Sequence, residues 1–340
     1  MRIAFDGVVF TQSRAGSARM AQGILDALPA VAPDIEIVPL GAGGFAGRGS
    51  MRQKASALRQ DLAWYGEGLA RAARRAGVDL LHCPTFRAPL RRAGVPVVAT
   101  VHDLAVLREP GWFPAWSRTY GRLLMPRAIR LADRVVCVSQ ATARDASGLL
   151  GVPDARLRVV PNGIDAVFSE PAGARPVVGP YVLFVGTPEP RKNLERLAAA
   201  VALLLSDGRP ERLVLAGADG WGGVELPLGD RVVELGRVSD ETLRDLYAYA
   251  SCVAYPSLWE GFGLVAGEAL AAGCPIVCSD IPALREVAGT DGEYCDPRSI
   301  PSIAEALRRA LDGPRPAARR ELTWESAARQ LAAVWRELDS

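Results

Sequence analysis

The chain has 340 residues, 49% hydrophobic and 23% charged, enough for two domains with a sizeable core each, which excludes a disulfide-stapled peptide, a fibre or a largely disordered segment. The formal net charge is only +2, yet residues 1–165 carry 22 Lys/Arg against 13 Asp/Glu while residues 166–340 carry 18 against 25. That split argues against a chain-long nucleic-acid track, and leaves the basic half either solvating Arg-rich helices or meeting an anionic surface.

Short apolar runs, each followed by ten to twenty residues of helical periodicity, recur along the chain, as in a parallel sheet covered on both faces. Strands are expected at 3–9, 35–40, 80–83, 95–101 and 135–138, with helices near 16–29, 49–76, 115–131 and 140–150. A breaker-rich stretch follows, from Glu170-Pro171 to Gly179-Pro180, and reads as a linker. The strand pattern then restarts at 181–185, 213–216, 232–235, 253–255 and 276–278. A last helical stretch, 317–338, has no strand after it and so cannot be a crossover; its apolar positions Leu322, Trp324, Leu331, Val334, Trp335 and Leu338 call for packing back onto the first domain. The expected division is 1–168, a linker at 169–180, a second domain at 181–314 and a terminal helix within 315–340. The fold class is α/β, with two Rossmann-like doubly wound domains facing across a cleft. Ligands of such sheets lie at the carboxyl ends of the strands.

Six cysteines without a CxxC pair, four of them in apolar strand-like runs, read as reduced packing residues of a cytosolic protein. Two histidines, His82 and His102, are too few for a histidine metal site. The longest apolar run, 197–205, is nine residues long, short of the roughly 20 that cross a bilayer, and the first residues lack a signal-peptide core. Gly41-Ala42-Gly43-Gly44-Phe45-Ala46 fits GxGxxA, but it follows the second strand and runs into more glycines, so it reads as a loop and not as a dinucleotide fingerprint. GxxxxGK[ST] and GxSxG are both absent, which removes the usual signatures of P-loop nucleotidases and nucleophile-elbow hydrolases.

Residues 256–270 are the most informative. A strand ends, Glu260 stands in a loop that turns through Gly261 and Gly263, and a helix opens near Gly263 with Glu268 inside it. The N–H groups of Gly263, Leu264 and Val265 face an anion at such a helix start. Glu260 and Glu268 on either side suit hydroxyls flanking that anion, as in a sugar on each side of a diphosphate; solvated glutamates on a surface helix are the other reading. Arg191 and Lys192 follow the strand at 181–185 and are expected in the first turn of the next helix, where cations oppose the dipole unless an anion compensates them.

The segments VVPNGID, VLFVGTPEPRKN and EGFGLVAGEALAAGCPIV resemble those of family 4 of the retaining glycosyltransferases (GT4), which have the GT-B fold, and the resemblance covers nearly the whole chain. It implies a nucleotide-diphosphate sugar donor held mostly by the second domain, an acceptor held by the first, and no obligatory metal or other cofactor. By match, Glu260 contacts the donor hexose, Glu268 the ribose, and Arg191 with Lys192 the diphosphate. The backbone at Phe262, Gly263 and Leu264 faces phosphate and sugar, and Val238, after Gly236-Arg237, lies in the base-binding loop. Two departures stand out: Thr187 follows Gly186 where many members have Arg, and the glycine pair after the first strand appears as Ala15-Gly16-Ser17, leaving Gly16 alone for the close backbone approach. His102, at a strand end opening on the expected cleft, matches the histidine beside the transferring sugar; a hydrogen-bonded packing histidine is the plainer reading.

Trp112, Phe113 and Trp116, with Arg118, Arg122, Arg127, Arg71, Arg74 and Arg75, either touch anionic membrane or pack in the first domain and its acceptor pocket. The function expected is transfer of a hexose, mannose first, to a glycan or lipid-linked saccharide, in the cytoplasm or at the inner face of the membrane. A GT-B phosphorylase, a nucleotide-sugar epimerase and a non-catalytic sugar-binding protein are the alternatives, and no nucleic-acid partner is expected.

Overall fold

The computed structural model describes residues 1–12, 16–41, 61–113, 115–218, 226 and 228–339. The chain forms two compact units, Met1–Gly163 with Trp324–Ser340, and Ile164–Thr323. The division falls ahead of the breaker-rich stretch.

The first unit holds β1 (Arg2–Asp6), β2 (Glu36–Leu40), β3 (Leu80–Cys83), β4 (Val97–Val101), β5 (Arg134–Cys137) and β6 (Leu157–Val159). They pair in parallel in the order β2-β1-β3-β4-β5-β6. The strand order reverses between β1 and β3. Strands β3 and β4 are buried at every position, as expected of runs sandwiched between helix layers. By contrast β6 is half-buried throughout, and Arg158 in it binds Glu337 at 2.7 Å; an edge strand interrupted by Arg gives no apolar run, which is why its pattern does not announce it.

The helical stretch expected over 115–131 is two helices, Ala115–Leu123 and Met125–Leu131. Pro126 stands in the first turn of the second, where its missing N–H is tolerated, but it cannot continue an earlier helix. Around 61–76 the helix contains a π-helical turn, Trp64–Gly68, before Leu69–Ala76. The terminal helix spans Trp324–Arg336. Leu322, expected on it, instead accepts the Ile164 N–H at 3.0 Å in the second unit. Trp335 is fully buried on the first sheet and donates its indole N–H to His82 Nδ1 at 3.1 Å. The cysteines are free thiols, all six buried.

The second unit holds β7 (Tyr181–Val185), β8 (Arg212–Ala216), β9 (Val232–Glu234), β10 (Cys252–Tyr255), β11 (Ile276–Ser279) and β12 (Gly292–Cys295), all parallel, in the order β12-β11-β10-β7-β8-β9. Here too the edge strand β12, which contains Gly292 and Glu293, lacks an apolar run. The reversal lies between β7 and β10, so the loops leaving these neighbours run to opposite sides and open a crevice between their carboxyl ends.

Candidate functional site

That crevice receives the loop 186–193 from β7 and the loop 256–263 from β10. Arg191 and Lys192 lie in a 3-10 turn, Pro190–Lys192, and not in the first turn of the helix Leu194–Ser206 as expected. Asn193 causes the break: its backbone is left-handed, with φ 62°, a conformation Asn tolerates better than most residues. Its amide donates to the carbonyls of Pro256 at 3.0 Å and Pro297 at 2.7 Å. The Arg191 carbonyl accepts the Leu258 N–H at 2.8 Å, so the two loops are joined through both side chain and backbone.

Glu260 is only 8% exposed. One carboxylate oxygen takes Lys192 Nζ at 2.7 Å and the other takes an Arg191 guanidinium N–H at 2.9 Å. Arg191 also donates to the Trp259 carbonyl at 2.9 Å and to Glu189 at 2.6 Å. Burial pushes the Glu260 carboxyl up, but Arg191 and Lys192 outweigh it and hold it at about 2. Burial, with Arg191 adding, lowers the Lys192 ammonium from its ordinary value against the pull of Glu260. Lys192 also donates to the Tyr255 hydroxyl at 2.7 Å and stands 4.6 Å from that ring's centroid. The solvated-glutamate reading is thus excluded for Glu260, and equally for Glu268, which is 3% exposed and accepts the Tyr247 hydroxyl at 2.7 Å. Burial first, and then the Glu260 and Glu268 carboxylates, raise Tyr255 well above the usual phenol range.

Gly263 caps the helix Leu264–Ala271 with φ 108°, and its missing Cβ leaves room for Leu284, which a Cβ would approach to 2.5 Å. The first N–H groups of that helix have no carbonyl a turn earlier to accept them. Phe262 beside the cap is buried. Val238 is half-buried just after β9, and the neighbouring Gly236 carbonyl takes the Gly217 N–H at 2.9 Å. Gly217 in turn packs on the turn after β7: a Cβ there would lie 2.2 Å from the Gly186 carbonyl oxygen.

Gly16 and His102 belong to the first unit. Gly16 opens the helix Gly16–Val31; Ala15 lies outside the described residues. At the end of β4, His102 has Nε2 2.8 Å from the Pro84 carbonyl. A carbonyl only accepts, so Nε2 carries the proton and Nδ1 of the neutral ring is an acceptor. Burial lowers the His102 pKa, opposed by the Pro84 carbonyl and Asp103. His82 is the packing histidine: fully buried, stacked on Phe5, and lowered to about 3 by burial, with His102 adding.

Of the remaining readings, Ala42–Ala46 of the glycine-rich loop and the Trp116 side chain lie outside the described residues. Phe113 packs against the first core and Trp112 is half-buried. Arg74 is tied to Glu67 and to the Ala93 carbonyl, which removes it from a free basic patch. Sequence reasoning overlooked Glu189, Tyr255, Tyr247 and Gly217. The only available signal was Tyr255 itself, a polar-tipped residue closing an apolar strand beside the glutamate loop. Among the described residues no group of three or more His, Cys, Asp or Glu side chains gathers as for a metal, and no helix is long and apolar enough to cross a membrane.

Two doubly wound sheets, one with a buried carboxylate bridging two cations at its reversal point, form a scaffold that can host many activities, and the comparisons with known proteins fix the family. Residues 15–168 match the model for Glycosyltransferase Family 4 and residues 179–313 that for Glycosyl transferases group 1. The chain is similar to O-antigen chain mannosyltransferase B of Escherichia coli, 32% identical over 251 residues, 68% of this chain and 65% of that protein. It is also similar to the MMP α-(1→4)-mannosyltransferase of Mycolicibacterium hassiacum, 32% identical over 295 residues, 78% of this chain and 72% of that one. Among solved structures, sucrose-phosphate synthase from Thermosynechococcus elongatus superposes with a TM-score of 0.77 over 99% of both chains at 22% identity, which speaks for the fold. The chain belongs to the family 4 glycosyltransferases; the matched region spans about two thirds of the length of these two mannosyltransferases.

Proposed function

We propose that the protein transfers a hexose, mannose in the first instance, from a nucleotide-diphosphate sugar to a glycan or lipid-linked saccharide with retention at the anomeric carbon. The observation that carries this is Glu260 shared between Arg191 and Lys192 at the reversal point of the second sheet. On this reading the two cations and the amides of the helix Leu264–Ala271 bind the diphosphate. Glu260 takes hydroxyls of the donor hexose, Glu268 those of the ribose, and the segment around Val238 faces the base. Mannose rests on the names of the two relatives; one structural neighbour, an Anabaena protein, was solved with UDP and glucose.

In the transfer step the bond from the anomeric carbon to the phosphate oxygen breaks and a bond to the acceptor oxygen forms on the same face. The acceptor proton passes to the leaving phosphate. Arg191, Lys192 and the helix amides stabilise the charge that develops there, and they supply positive charge that an obligatory metal would otherwise bring. His102, through Nδ1, accepts a hydrogen bond from a sugar hydroxyl and orients it.

Thermal stabilisation by GDP, UDP, ADP and dTDP identifies the base, and an anomer-resolved product assay with and without chelator tests retention and metal independence. Phosphorolysis or isomerisation of the donor in that assay would contradict the transferase reading. A second reading, contact with anionic membrane at its inner face, has its own observation: on the helix Ala115–Leu123, Arg118 and Arg122 are exposed beside Leu123, which is 67% exposed. Flotation with anionic liposomes that is lost in Arg118→Glu/Arg122→Glu supports it; indifference to anionic lipid contradicts it.

A further inference from the structure

The first sheet has its own reversal point, between β1 and β3, and Asp6 ends β1 there. The Asp6 side chain is buried, 2% exposed. One oxygen accepts the Tyr65 hydroxyl at 2.9 Å; the other accepts the Trp64 indole N–H at 3.2 Å and, more distantly, the Val8 N–H at 3.4 Å. Trp64 and Tyr65 are consecutive, and consecutive side chains of an α-helix diverge by about 100°. The π-helical turn Trp64–Gly68, closed by the Leu69 N–H on the Trp64 carbonyl, brings both onto one carboxylate; such turns are frequent at functional sites.

This arrangement is costly as pure packing. Burial raises the Asp6 carboxyl to about 6 even though Tyr65, Trp64, Val8 and Arg87 lower it, and an apolar side chain in its place would avoid that cost. What the carboxylate supplies is a fixed orientation for the indole, which packs against the first core and is half-buried, so that part of it stays accessible. Gly41, with φ 72°, leaves the indole its space, since a Cβ there would come within 2.6 Å of Trp64 Cζ2. After β3, Arg87 donates to Asp61 at 2.9 Å, the two side chains being 17% and 12% exposed, and its guanidinium lies 5.2 Å from the centroid of the Tyr120 ring.

We propose that Asp6 is a positioning residue for a saccharide site in the first unit, in which Trp64 is the stacking platform and the Arg87–Asp61 pair bonds the hydroxyls of a glycosyl residue of the acceptor. The inference rests on the transferase reading above for the word acceptor. The chemistry selects an uncharged sugar: an indole face takes its C–H surface, the mostly buried Arg87–Asp61 pair offers its remaining donor and acceptor positions to hydroxyls, and two carboxylates against one guanidinium repel a phosphate.

The test uses the whole chain labelled with 5-fluorotryptophan, with the Trp64 fluorine signal assigned as the one lost in Trp64→Phe. Titration with methyl α-mannoside, methyl α-glucoside and mannobiose is expected to shift that signal, and titration with GDP or UDP to leave it in place. In Asp6→Asn the signal moves before any sugar is added, and the midpoint of the glycoside titration rises about 5-fold or more, the equivalent of one lost orienting hydrogen bond; Tyr65→Phe gives the same reading if Asp6→Asn does not fold. A Trp64 signal unmoved by all three glycosides, or moved by nucleotide in their place, overturns the proposal. Nucleotide binding scored in the same samples reports separately on the donor site, so glycoside response without nucleotide binding would instead remove the donor reading.

Discussion

Lys192 Nζ and Glu260 Oε1 lie 2.7 Å apart, and Arg191 holds the other oxygen of the same carboxylate at 2.9 Å. On the proposed reading, the cations assigned to the diphosphate and the carboxylate assigned to the attached sugar form one unit, and each sets the other's charge. Glu260→Gln keeps the shape and removes the charge. Transfer is expected to fall below detection while nucleoside diphosphate still binds, measured by a product assay alongside calorimetry.

The same pair sets an acid limit. Glu260 is held at about 2 against an ordinary 4.5, so its contribution, of order 3 kcal/mol, is fully present above about pH 4.5 and lost as pH falls toward 2. Denaturation midpoints of the wild type should drop through that window, and those of Glu260→Gln should drop less.

Asp6 acts in the opposite sense. Burial raises its carboxyl from 3.8 to about 6 against the hydrogen bonds of Tyr65, Trp64 and Val8 and the charge of Arg87, so ionising it costs stability as pH rises from about 4 through 6. Relative to Asp6→Asn, the wild type should lose roughly 3 kcal/mol across that interval, read from urea midpoints at several pH values. Parallel profiles would contradict the shift.

Gly217→Ala places a methyl against the Gly186 carbonyl, a backbone atom that cannot rotate away. The expected cost is about 1–3 kcal/mol, and because the displaced turn leads to Arg191 and Lys192, nucleotide affinity should fall together with the melting temperature.

Trp335→Phe strands His82 Nδ1 in a fully buried setting. A loss of about 1–3 kcal/mol for the unpaired acceptor, with additional loss for the cavity, is expected in equilibrium unfolding, and nucleotide affinity should hold at temperatures where the protein is folded.

The core strands were legible because they are continuous apolar runs buried on both faces, as in Leu80–Cys83 and Tyr181–Val185. The edge strands β6 and β12 were not, since Arg158, Gly292 and Glu293 interrupt them, whereas the opposite edges, β2 and β9, keep enough apolar residues to be read. The glutamate loop and the paired cations were legible as local motifs. Their joining was not: the bond from Lys192 to Glu260 spans 68 residues, and only the strand order makes β7 and β10 neighbours. Likewise the 3-10 turn that carries Arg191 and Lys192 depends on Asn193 being held left-handed by the Pro256 and Pro297 carbonyls, which a local reading of helix propensity misses. Asp6 remained one charge at the end of a strand until the π-helical turn brought Trp64 and Tyr65 to it.

On the proposed reading, the carboxyl edge of the second sheet binds the diphosphate of an activated sugar through Arg191 and Lys192. Isothermal titration of GDP and UDP into the wild type, Lys192→Ala and Arg191→Ala tests it most directly. At least one nucleotide should bind the wild type, with affinity roughly 10- to 100-fold weaker in each variant, as loss of a charge-assisted hydrogen bond requires. Equal affinity in all three folded proteins would contradict the account.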